Sequence, residues 1–150
     1  MTYPESIERM LPYKQTVTTL RLYKDIDDEI PDVLLEFRNL EELHISDGRN
    51  PVIPLWITQL EKLHTLELDA CRFRKFPAVL AKLPQLRRLS LRANHLKVLS
   101  PEIGALTGLE RLDLSSNNLA ALPPEIGDLV NLQKLDISHN PLTSLPPDIG

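Results

Sequence analysis

The chain of 150 residues has a single cysteine, five glycines and few aromatics, 5% of the total. One cysteine permits no internal disulfide, and nothing in that count points to an oxidising compartment. A cationic excess is also lacking: 17 Lys and Arg stand against 21 Asp and Glu, for a formal net charge of −4. Such a chain has no global attraction for phosphate, which argues against a dedicated nucleic-acid binder. No apolar run approaches the roughly 20 residues that a membrane-spanning helix needs. The opening MTYPESIERM has neither the basic start nor the apolar stretch of a signal peptide. At 42% hydrophobic, the chain is too apolar to remain disordered. The expectation is one soluble, cytoplasmic domain with a core of its own.

What is abundant is proline, 13 residues, and leucine at a fixed interval. Leu20, Leu43, Leu66, Leu89, Leu112 and Leu135 are each 23 residues apart. Leu22, Ile45, Leu68, Leu91, Leu114 and Ile137 follow two positions later. Further columns run through Val17 to Leu132, Ile30 to Leu145, Leu34 to Ile149 and Phe37 to Leu129. No insertion or deletion breaks the frame from Val17 to the last residue.

Each unit has two periodicities. Leu-x-Leu alternates, as a half-buried strand does, and predicts strands near 20–22, 43–45, 66–68, 89–91, 112–114 and 135–137. Past the proline column the spacing changes to that of one helical face, as in Ile126, Leu129 and Leu132. Pro31, Pro54, Pro77, Pro123 and Pro146 have a fixed φ and suit the entry to that return. One unit cannot bury its apolar side alone; stacked units can, with their strands forming a parallel sheet on one side of a coil. Asn94, Asn117 and Asn140 recur after the strand, where an amide can bridge the backbones of neighbouring turns. Asp25, Gly48 and Cys71 hold that place in the earlier repeats, which predicts a weaker ladder there.

The unit L-x-x-L-x-L-x-x-N-x-L-x-x-L-P, at Leu109–Pro123 and Leu132–Pro146, resembles the leucine-rich repeat. With LPPEIGDLVNL at Leu122–Leu132, it is similar to the 23-residue subclass of Ras-suppressor-like and plant intracellular Ras-group-related proteins, and to many bacterial repeats. The shorter repeats of bacterial ubiquitin-ligase effectors do not fit this register. The resemblance implies an α/β fold: a right-handed solenoid of about six repeats, with a parallel sheet on the concave face and short helices or extended turns on the convex face. It also implies protein binding, with a signalling scaffold for a small GTPase or phosphatase as one form. Residues 1–16 are expected to act as an N-terminal cap or partial repeat, and 17–150 as the repeat domain. Without a C-terminal cap, Leu142, Leu145 and Ile149 are expected to lie exposed, either continued by a longer chain or covered through self-association.

Residues between the strand leucines point outward on the sheet. They place acidic Glu42, Glu67 and Asp69 beside basic Arg88, Arg92 and Arg111. Either these charges pair between strands, Asp69 with Arg92 for example, or they form a bipolar docking surface. For the second reading the candidate residues are Arg21, Tyr23, His44, Glu67, Asp69, Arg88, Arg92 and Arg111, with arginine and tyrosine as anchors. His44, His64, His95 and His139 fall in different columns and form no expected metal site; Cys71 reads as structural. No catalytic constellation, phosphate loop or cofactor motif is present, so a non-enzymatic module for a protein or peptide is expected. Two alternatives remain at this point: a targeting or regulatory part of a larger kinase, GTPase or ubiquitin ligase, and a self-associating repeat.

Overall fold

A computed structural model describes residues 5–24, 26, 29–147 and 149. Asp25, the first residue of the expected ladder, and most of the acidic run Asp25–Glu29 lie outside the described residues. Six strands follow the 23-residue frame: β1 (Thr19–Tyr23), β2 (Glu42–Ser46), β3 (Thr65–Asp69), β4 (Arg88–Ser90), β5 (Arg111–Asp113) and β6 (Lys134–Asp136). They form one parallel sheet in sequence order. The register never slips, so Leu20, Leu43, Leu66, Leu89, Leu112 and Leu135 form one row across it.

The first three strands run one residue beyond the expected span at each end, and the last three begin and end one residue earlier. A side chain explains the early stop. In repeats four to six the next outward backbone N–H, of Arg92, Ser115 or Ser138, donates to an aspartate at 2.9–3.2 Å and leaves the strand ladder.

Between strands the chain returns through five 3-10 turns: Asp32–Glu36, Leu55–Gln59, Ala78–Lys82, Pro101–Ala105 and Pro124–Asp128. Pro31, Pro54, Pro77 and Pro123 stand just before four of them in extended geometry, where no backbone N–H is required of them. Ser100 replaces proline before the other, and its hydroxyl accepts the Glu102 N–H at 3.3 Å. At one shared position each turn buries an apolar residue (Leu34, Ile57, Leu80, Ile103 and Ile126) against the strand leucines, and the first turn buries Val33 as well.

Two amide ladders bind successive turns. Asn94 donates to the Leu68 and Leu91 carbonyls at 2.8 and 2.9 Å and accepts the Phe73 N–H at 3.0 Å. Asn117 and Asn140 repeat that pattern. On the opposite flank Asn39, Gln85 and Asn131 donate to the carbonyls of Gln15, Leu60 and Thr107. At Cys71 only the thiol reaches across, 3.6 Å from the Ile45 carbonyl, and Gly48 has no side chain to offer. After every strand one residue takes left-handed backbone geometry: Lys24, Asp47, Ala70, Ala93, Ser116 and His139, with φ between 53° and 56°.

At the start, helix α1 (Glu5–Met10) and a 3-10 turn at Leu11–Tyr13 precede the first repeat. Ile7 of α1 is fully buried in the common core, and Lys14 pairs with Glu36. At the far end Leu142 and Ile149, expected to lie exposed, are half-buried against the core, whereas Leu145 is 53% exposed. No helix among the described residues is long and apolar enough to cross a membrane.

Candidate functional site

Because alternate strand residues face outward, strict register arranges the outer face in rows. One row reads Thr19, Glu42, Thr65, Arg88, Arg111, Lys134. The next reads Arg21, His44, Glu67, Ser90, Asp113, Asp136, and a third begins Tyr23, Ser46, Asp69. All eight candidate residues stand on this face, in two adjoining hollows that share Glu67 and Asp69. One, of about 330 Å³, includes Arg21, Tyr23 and His44; the other, of about 360 Å³, includes Arg88, Arg92 and Arg111.

The acidic half is internally satisfied. His44 lies between two carboxylates, with Nδ1 2.5 Å from Glu67 and Nε2 3.4 Å from Glu42. A neutral ring donates from one nitrogen, whereas a protonated ring donates to both. Asp69 does not pair with the Arg92 guanidinium. Its Oδ1 accepts the Ser90 hydroxyl at 2.5 Å and the Arg92 backbone N–H at 3.2 Å, so the carboxylate closes the strand end. Burial pushes the Asp69 carboxyl above the usual range, with the Ser90 bond pulling the other way. Asp113 and Asp136 each bind the hydroxyl and N–H two residues on, at Ser115 and Ser138. At Asp136 the Ser138 hydroxyl is the main reason its pKa lies below the ordinary value. The Asp-x-Ser pairs of repeats five and six therefore terminate the strands.

The basic half is less fully paired, although Asp113 and Asp136 line the same hollow and the Lys134 charge acts on Asp136. Arg88, Arg111 and Lys134 are consecutive partners across β4, β5 and β6, and none makes an ion pair among the described residues. Adjacent strands are about 4.8 Å apart, so three like charges stand side by side. Arg87, just outside the row, differs: its guanidinium pairs with Glu110 at 2.7 Å. Lys134 belongs to this row yet was absent from the candidate set, although its place in the 23-residue column marks it. Tyr23 is 58% exposed, with the Lys24 ammonium 4.9 Å from its ring centroid.

No group of three or more potential metal ligands occurs among the described residues. His64 faces Glu41 at 3.7 Å, away from His44's partners. Cys71 is fully buried, and burial pushes its thiol up to about 11.

A parallel sheet of 23-residue turns, asparagine-laddered from the fourth repeat on and closed by 3-10 returns, defines a leucine-rich-repeat solenoid. The chain belongs to the leucine-rich repeat family: the R13L1/DRL21 leucine-rich-repeat profile matches residues 5–94, and the leucine rich repeat profile matches residues 84–142. A Leptospira interrogans leucine-rich-repeat protein is 32% identical with a TM-score of 0.88, over 99% of this chain and 38% of that one. The ectodomain of the Arabidopsis thaliana receptor kinase GASSHO1/SCHENGEN3, solved in complex with CASPARIAN STRIP INTEGRITY FACTOR 2, is 25% identical with a TM-score of 0.69. That match covers 93% of this chain and 17% of the ectodomain. An internalin of Listeria monocytogenes shares the fold at 19% identity and a TM-score of 0.69, over 87% of this chain and 37% of its own. The chain thus spans well under half the length of each of these structures. No curated protein sequence matches it.

Proposed function

We propose that the strand face is a non-enzymatic docking surface for an acidic segment of a protein or peptide, held over repeats four to six. The observation that carries this reading is the in-register row of Arg88, Arg111 and Lys134, with no ion pair to any of them among the described residues. Like charges side by side in a sheet disfavour the free fold, and an anionic partner offsets the repulsion. The platform is rigid, tied by two amide ladders, so little entropy is lost when it is occupied. Six strands span roughly 25 Å, enough for the approximately 800 Å² that a standard interface takes from each partner. The Arabidopsis ectodomain, solved in complex with CASPARIAN STRIP INTEGRITY FACTOR 2, supports the same class of role. In this reading the module works as a scaffold in the cytoplasm, where the lone thiol of Cys71 stays reduced.

The test is selection from a random-peptide display library on the wild-type chain, with each selected peptide measured against R88E/R111E. The reading expects acidic peptides whose affinity falls at least tenfold in that variant. Peptides without acidic residues, or affinities that do not change, would overturn it.

A further inference from the structure

Residues 70–101 contain eight Lys and Arg and no Asp or Glu, within a chain whose net charge is −4. Some of this charge is the strand-face row, but Arg72, Arg74, Lys75 and Lys97 are elsewhere. They lie on the flank where the chain leaves the strands and passes toward the 3-10 turns. There a second groove, of about 880 Å³, opens over three consecutive turns of the solenoid.

Its construction differs from that of the strand face. Val98, 69% exposed, provides an apolar surface, and Phe76 closes the floor at 7% exposure. Arg74, Lys75 and Lys97 surround them; no carboxylate lines the groove, and none of the three makes an ion pair among the described residues. In the repeat frame Arg74 and Lys97 occupy the same position of adjacent turns, as do Lys75 and Val98. The backbone beneath is fixed: the His95 N–H donates to the Phe73 carbonyl at 2.8 Å, and the Asn118 N–H to the Leu96 carbonyl at 2.9 Å. Asn94 and Asn117 hold Phe73 and Leu96 from behind.

We propose that this flank groove is a second docking site, for a short protein segment carrying adjacent Asp or Glu residues and one apolar side chain. Charge complementarity selects the acids: three cations converge and the chain supplies no counter-charge to the groove. Val98 selects the apolar side chain, because an exposed valine inside a cationic rim gains contact area only from an apolar partner. Nucleic acid fits less well. Phe76 is too buried to offer a stacking face, and the rest of the chain is strongly acidic.

The site stands apart from the strand face, so its test removes that face first. The R88Q/R111Q protein, labelled with ¹⁵N, is titrated with a nonapeptide of Glu and Asp around one central Leu. The expected result is saturable shifts of the Phe76, Val98 and Asn118 amides. Affinity should fall about tenfold in the added presence of K75E/K97E, and measurably with V98S. The same peptide with Gln and Asn for its acids should leave those amides in place. Shifts absent or confined to β1–β6, equal response to the amide peptide, or tighter binding of a single-stranded oligonucleotide would each overturn the proposal. A flank that binds while wild-type strand-face binding fails, or the reverse, separates the two readings.

Discussion

The Asn94 side chain, 2% exposed, accepts the Phe73 N–H at 3.0 Å from the preceding turn while its amide donates back to Leu68 and Leu91. One residue thus bonds three buried backbone groups, of which only the Leu91 carbonyl has a second amide, that of Asn117, within reach. An unpaired buried group of this kind costs about 1–3 kcal/mol. N94A should therefore destabilise the fold by about 2–4 kcal/mol. C71A, which removes only two long thiol contacts, to the Ile45 and Asp69 carbonyls, at the same place in the preceding repeat, should cost about 1 kcal/mol. Urea unfolding followed by circular dichroism compares them; equal losses would mean that the ladder is not what holds these turns.

The same burial makes Cys71 unreactive. Its thiol is pushed up to about 11, mainly by desolvation. At pH 8 iodoacetamide should label the native chain far more slowly than the chain in urea. A raised folded-state pKa also means that stability is intact below the ordinary thiol range. It is lost as pH rises from there through about 11. Rapid native labelling at pH 8 would contradict the burial.

Ala93 follows β4 with φ of 55°, a conformation that costs an L-residue roughly 1 kcal/mol and glycine almost nothing. A93G should be neutral to stabilising, by up to about 1 kcal/mol after glycine's greater entropy in the unfolded chain is set against the relief. A93V should lose more than 1 kcal/mol, because a β-branched side chain is worst in this region. Thermal unfolding of the pair reads the sign directly.

Much of this architecture was written in the repeat itself. The leucine columns fix which residues share a row, and strict spacing carried that register through six strands without error. Strand ends were less legible. They depend on whether an aspartate captures the next backbone N–H, a competition visible only once Asp113 is seen beside Ser115. The strand-face candidates followed from alternation, and Lys134 was within reach of the same logic. Two features depended on three-dimensional neighbours. Asp69 finds Ser90 where a charge rule offered Arg92, and the flank groove needs Phe76 and Val98 brought together across turns. The second ladder, at Asn39, Gln85 and Asn131, was hidden because lysine and glycine interrupt its column.

Asp69 and Asp136 stand at similar strand ends and should titrate in opposite directions. Desolvation raises Asp69, so its folded form binds a proton first, and this group's contribution to stability grows as pH falls through its folded value. Asp136 is lowered by the Ser138 hydroxyl and N–H. Its contribution is present above the ordinary carboxylate range and is lost as pH falls through the folded value. S90A should push Asp69 higher still, and S138A should let Asp136 rise toward the ordinary range. Carboxyl ¹³C shifts followed against pH test both; a common midpoint for the two groups would refute the contrast.

The row of Arg88, Arg111 and Lys134 leads to a trade between stability and binding. Arg111 has a cation on each side, so R111E converts two repulsive neighbours into two attractive ones. On an exposed face each such change contributes a few tenths of a kcal/mol, and salt weakens it. The variant should therefore be more stable than wild type by about 0.5–1 kcal/mol at low ionic strength. Most of that difference should vanish by 0.5 M salt. The same variant should lose at least tenfold in affinity for acidic peptides selected on the wild-type strand face. Stability that drops in R111E would show that an interaction with Arg111 holds the fold together. Stability that rises while binding persists would place the partner elsewhere on the solenoid.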